Sequence, residues 1–128
     1  VKGRDKGAFN VNGSIPMIDD DRVTFIKGYF QNTLTEFISE NKFEENLFVH
    51  YDADLFSSTL FCLLKLDTLK IPYFAIFDEF YPDEVFALKK YIDMTSAKVE
   101  MIGKVKNPIS NVPIQVSCKI IPSEFFEV

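Results

Sequence analysis

The sequence predicts an α/β fold of about five strands, mostly parallel, with a C-terminal antiparallel strand and helices on both faces. Three observations carry this. From Val23 to Ile92, short continuous apolar runs alternate with segments of helical periodicity, the pattern of buried strands joined by crossover helices. From Lys98 to Ile120 the pattern changes to apolar/polar alternation, broken only around Asn107-Pro108 and Asn111-Val112-Pro113. That break has no room for a helix, so the two runs pair antiparallel. Finally, 128 residues, 47% hydrophobic and 26% charged, suit one domain with one core.

Residues 1–22 read as an irregular N-terminal segment, punctuated by Gly3, Gly7, Gly13 and Pro16 and closing on Asp19-Asp20-Asp21. Phe9, Ile15 and Met17 are its candidate anchors. Residues 23–128 form the α/β domain. Val23-Thr24-Phe25-Ile26 is short, β-branched and aromatic, and predicts a first strand ending at Lys27-Gly28. Leu34, Phe37 and Ile38 stand at helical spacing behind Asn32 or Thr33 as a cap, which predicts a helix to about Asn41. Leu47 to Tyr51 is a buried strand, with His50 as a core histidine. Ser57 or Ser58 then caps a helix through Leu60, Leu63, Leu66 and Leu69, stopped by Pro72. Tyr73 to Phe77 is the next buried strand. Pro82 opens a third helix with Val85, Leu88 and Ile92 on one face.

Composition removes several classes of function. Fourteen basic against nineteen acidic residues leave a net charge of −5, a poor surface for nucleic acid. No apolar run is long enough to span a membrane, and no charged-then-apolar leader is present. Cys62 and Cys118 sit in apolar stretches and read as reduced core thiols of a cytoplasmic protein. The five glycines are spaced neither as a dinucleotide fingerprint nor as a P-loop.

Chemistry concentrates at two strand ends. Ligands of open α/β sheets sit beyond the carboxyl ends of the strands, and here consecutive strands end in Asp52-Ala53-Asp54 and Asp78-Glu79. Adjacent parallel strands lie about 4.8 Å apart, so Asp52 and Asp78 come within reach of one cation. With Glu79 they offer hard oxygen ligands for magnesium. One Asp at a strand end is ordinary turn chemistry; two consecutive acidic ends point to a site. Phe30, Phe56 and Phe80 lie just past strand ends and are candidate pocket walls. Ser57-Ser58-Thr59 is read as a cap, since no Ser/His/Asp order accompanies it.

Three segments together, Lys27-Gly28-Tyr29-Phe30, His50-Tyr51-Asp52-Ala53-Asp54-Leu55-Phe56-Ser57-Ser58-Thr59 and Ile76-Phe77-Asp78-Glu79-Phe80, resemble the macrocin O-methyltransferase family. These are class I methyltransferases dependent on S-adenosylmethionine (SAM) and magnesium, and the likeness covers about residues 22–121. Phe56 stands where the family has tyrosine. The resemblance implies a partial Rossmann-like methyltransferase sheet in which Asp52, Asp78 and Glu79 bind magnesium and Asp52 is also the general base. It implies methyl transfer to a sugar or other small-molecule hydroxyl, with the metal orienting the acceptor. The final antiparallel strand fits, because class I methyltransferases carry one in an otherwise parallel sheet. The Gly-rich SAM loop of the family has no counterpart here, so the chain reads as the C-terminal half of such an enzyme, inactive alone. In that case the Val23 strand closes onto the open edge of the Leu47 strand, or two copies associate as a homo-oligomer. Two other classes compete: a non-catalytic oligomerising domain, and a phospho-acceptor receiver module fitted to Asp19-Asp20, Asp52 or Asp54, and Lys104.

Overall fold

The computed structural model describes residues 12–44 and 46–124. In chain order the elements are α1 (Phe30–Glu40), β1 (Phe48–Tyr51), α2 (Phe56–Asp67), β2 (Tyr73–Phe77), α3 (Val85–Thr95), β3 (Lys98–Lys106) and β4 (Pro113–Ile121). The four strands form one sheet in the order β1-β2-β4-β3. β1 and β2 pair parallel, whereas β4 lies antiparallel to both of its neighbours. β1, β2 and β3 therefore share one direction, and β4 is inserted between two of them against it.

The class is the expected α/β, but three details differ. First, Val23–Ile26 is not a strand, so the sheet has four strands rather than about five. Val23 and Phe25 are 41% exposed and Ile26 49%. A β-branched run becomes a strand only where a partner ladder and a packed face receive it, and this run has neither. Its chain direction is set locally instead: Val23 N–H donates to the Asp20 carbonyl, and Arg22 clasps the Asp20 carboxylate at 2.7 and 3.0 Å. Gly28 follows at φ +146°, and a Cβ there would stand 2.7 Å from the Thr33 methyl, so only glycine fits this entry into α1.

Second, only one of the three strand pairings is parallel. Third, the helices cover one face. Tyr73, Ala75 and Phe77 of β2 and Val116, Cys118 and Ile120 of β4 are buried, while Phe48, His50 and Phe74 on the opposite face are exposed. The connections explain it. β1-α2-β2 and β2-α3-β3 both step across the sheet in the same sense, and right-handed crossovers stepping one way place their helices on one side. Helices on both faces require a helical crossover that steps back the other way, and among the described residues the one backward step, β3 to β4, is made by an antiparallel pair without a helix.

The core lies between this sheet face and the layer α1-α2-α3. Leu63, Ala87 and Tyr91 are fully buried from the helix side. Periodicity located these helices, with starts shifted by up to about four residues: α1 begins at Phe30 behind Tyr29, with no side-chain cap, and not behind Asn32 or Thr33. α2 starts at Phe56 behind Leu55, without a side-chain cap, and Thr59 is buried inside the helix rather than capping it. Residues Phe80–Glu84 form a wide turn, with Tyr81 extended, so α3 begins at Val85 and not at Pro82. Ile15 and Met17 do not anchor the N-terminal segment, being 47% and 100% exposed; Phe9 lies outside the described residues. Cys62 and Cys118 are free buried thiols whose burial pushes both up to about 11.

Two buried polar pairs tie neighbouring elements together, one within the sheet and one within the helix layer. The Tyr51 and Tyr73 hydroxyls share a hydrogen bond at 2.7 Å. Tyr91 donates to Asp67 Oδ1 at 2.7 Å, and Lys70 holds Asp67 Oδ2 at 2.6 Å. Tyr91→Phe would leave one oxygen of a buried carboxylate with no donor, so it should lower the unfolding free energy by about 2 kcal/mol. Urea denaturation of the two proteins measures this, and an unchanged midpoint would show that water replaces the phenol.

Candidate functional site

The two acidic strand ends meet as the topology requires. β1 and β2 are adjacent and parallel, with Tyr51 opposite Phe77, and the Asp78 N–H continues the ladder by donating to the Tyr51 carbonyl at 3.0 Å. Asp52 and Asp78 thus leave neighbouring strands at the same level, at the carboxyl end of the sheet.

Asp78 is the better connected of the two. Gln115, from β4, donates its Nε2 to Asp78 Oδ1 at 3.0 Å, and His50 Nε2 stands 3.5 Å from the same oxygen. His50 is not a core residue. Its side chain is 53% exposed on the open face of β1, because the burial alternation places Val49 and Tyr51, not His50, toward the helices. A pair this exposed contributes roughly 0–1 kcal/mol; its value is in orienting Asp78.

Behind the strand ends lies a residue that strand-end reasoning misses. Glu84 is fully buried; its Oε1 accepts the Glu79 N–H at 2.9 Å, and its Oε2 has no hydrogen-bond partner. Burial raises its carboxyl to about 7; the Glu79 N–H pulls the other way, and the charges of Asp54, Asp52 and Asp78 add to the rise. That electrostatic coupling puts Glu84 in the same acidic corner. A signal for it does exist in the sequence, since Glu84 shares helical spacing with the buried Leu88, Tyr91 and Thr95, so an acid stands on an apolar stripe.

Glu79 is exposed in the turn, where its backbone supports Glu84. Among the described residues no three His, Cys, Asp or Glu side chains converge as a metal-holding group, so Asp52, Asp78 and Glu79 are not gathered into one three-ligand set. Phe30, Leu34, Val49, Cys62 and Leu66, together with Asp52 and Ala53, line a cavity of about 140 Å³. Of the other two phenylalanines, Phe80 is core, tilted against Phe77 at 5.7 Å, and Phe56 is 40% exposed.

No protein-family model matches the chain, and no curated protein or solved structure is significantly similar to it. No helix among the described residues is long and apolar enough to cross a membrane.

Proposed function

We propose that this chain carries the cation- and acceptor-binding part of a SAM- and magnesium-dependent O-methyltransferase acting on a small-molecule or sugar hydroxyl. The observation that carries the reading is the side-by-side exit of Asp52 and Asp78 from adjacent parallel strands. The insertion of β4 against the direction of β2 and β3 supports it, as does the motif likeness around both acids.

The donor chemistry suits magnesium: carboxylate oxygens are hard ligands, and this ion is commonly held by one or two carboxylates with waters filling its shell. Asp52 and Asp78 would hold it, with the unpartnered Oε2 of Glu84 adding negative charge from behind. When bound, the ion supplies Lewis-acid polarisation of an acceptor hydroxyl. Asp52 lines the apolar cavity, where it takes the hydroxyl proton as general base. Gln115 orients Asp78 through its Oδ1, with His50 Nε2 3.5 Å from the same oxygen. The family's Gly-rich SAM loop has no counterpart among the residues given, so no residue here is assigned to SAM.

Magnesium is expected to raise the melting temperature of the chain by about 3–6 °C at ten times its dissociation constant, equivalent to about 1.4 kcal/mol. Asp78→Asn and Asp52→Asn should each abolish that shift. An unchanged melting temperature with magnesium or manganese would instead favour a non-catalytic domain, with both acids serving as turn residues.

A further inference from the structure

Glu84 is a fully buried acid with no local structural use for its charge. It stands directly before α3, where a polar side chain ordinarily caps the first N–H groups of the helix. Here carbonyls of the wide turn take that role: Val85 N–H donates to those of Phe80 and Pro82, and Glu84 makes no side-chain cap bond. Its carboxyl turns back beneath the exit of β2 instead, where Oε1 accepts the Glu79 N–H at 2.9 Å. The Glu79 nitrogen is bonded to the Asp78 carbonyl carbon, so this carboxyl lies against the backbone of Asp78. Oε2, one carboxyl width away, is enclosed and has no hydrogen-bond partner.

The surrounding charge has the wrong sign for a buried carboxylate. Among the described residues no lysine, arginine or histidine stands within ion-pair distance of Glu84. The charges that act on it are those of Asp54, Asp52 and Asp78. Buried charges are ordinarily paired or directed at a metal, and a buried polar atom without a partner calls for a water or an ion. Oε2 is already enclosed by this chain, which leaves a water or an ion, not another polypeptide, as its partner. Direct coordination does not fit, because no three acidic, His or Cys side chains converge as one ligand set among the described residues. A hydrated ion does fit: magnesium held by one or two carboxylates keeps several waters, and outer-shell acceptors for such ligands set much of the affinity.

We propose that Glu84 is a positioning residue of the cation site: its Oε1 holds the Asp78–Glu79 backbone, and its Oε2 accepts a hydrogen bond from a water bound to the cation that Asp52 and Asp78 hold. The inference rests on the cation reading above and gives Glu84 a contact in place of a charge acting at a distance.

The probe is manganese, bound to the full chain labelled with carbon-13 at its glutamate carboxyls. At pH 8 the Glu84 carboxyl is ionised, being above its raised value of about 7. Pulsed electron–nuclear double resonance should then show a carbon coupling equivalent to about 4–5 Å, the reach of one metal–water bond plus one charge-assisted hydrogen bond. Glu84→Gln should remove that coupling, since it keeps the Glu79 contact but sets an amide donor where Oε2 accepted. By calorimetry at pH 8 the same variant should bind magnesium about 10–100-fold more weakly. Glu84→Asp keeps the charge but is one methylene shorter, and it should not restore the affinity. Melting in EDTA verifies that each variant is folded, and the coupling in the wild type tests the inference even where one is not. Wild-type affinity in Glu84→Gln or Glu84→Asp, or no coupling that depends on Glu84, would overturn the inference; with Asp78→Asn still abolishing binding, the cation reading would stand. A coupling at direct-coordination distance would overturn it too, making Glu84 a ligand. A wild type that binds neither ion would sink both.

Discussion

Phe77→Ala should lower the unfolding free energy by about 3–5 kcal/mol, the largest effect expected of a single core substitution in this chain. Phe77 is fully buried at the carboxyl end of β2, an inner strand of the sheet. Its ring stacks on Tyr51 at 4.7 Å and 6° and tilts against Phe80 at 5.7 Å and 59°. Removing it takes apolar contacts from β1, β2 and the 80–84 turn at once, and none of these can collapse without breaking the β1–β2 register. The site should suffer with the core, because Asp78 is the next residue and Tyr51 directly precedes Asp52. Phe77→Leu restores most of the volume and should recover more than half the loss. Urea denaturation with equal slopes for all three proteins is the measurement; a loss under 1.5 kcal/mol for the alanine variant would mean that the aromatic stack does not organise the sheet.

Glu84→Gln should remove a pH dependence of stability amounting to roughly 2–3 kcal/mol. The Glu84 carboxyl is raised from 4.5 to about 7 in the fold, mainly by burial. Below pH 4.5 it is protonated whether the chain is folded or not, and burial carries no ionisation cost. Between pH 4.5 and about 7 the unfolded chain releases this proton while the folded chain keeps it, so stability falls as pH rises and levels off above about 7. In EDTA the variant should match the wild type near pH 4.5 and exceed its stability at pH 8. The glutamine Oε1 still accepts the Glu79 N–H, so the difference between the two profiles isolates the ionisation. Parallel profiles would show that Oε2 reaches water.

The sheet elements were legible from Leu47 to Ile121 because each strand carries its own local signal. Tyr73–Phe77 is continuous and apolar although only Tyr73, Ala75 and Phe77 face the helices, Phe74 being exposed on the other face. Ile114 to Ile120 alternates because one face of β4 packs on the helices and the other does not. The same rule misread Val23–Ile26, where β propensity is real but no neighbouring strand takes up its hydrogen bonds. His50 was misplaced for a related reason: within a continuous apolar run, nothing local tells which alternate residues face the core. Glu84 stands on an apolar stripe that is legible in the sequence, but its place among Asp52, Asp54 and Asp78 is not, since these come from other parts of the chain.

The sequence alone determined the α/β class, the antiparallel C-terminal pair, and the two acids that close consecutive strands, since all three follow from periodicity and from residue types at run ends. Only the tertiary structure decided that β4 enters between β2 and β3 and that the helices among the described residues lie on one side of the sheet. Those outcomes depend on the sense in which each crossover steps across the sheet, a property of the whole chain path that no local run of residues encodes.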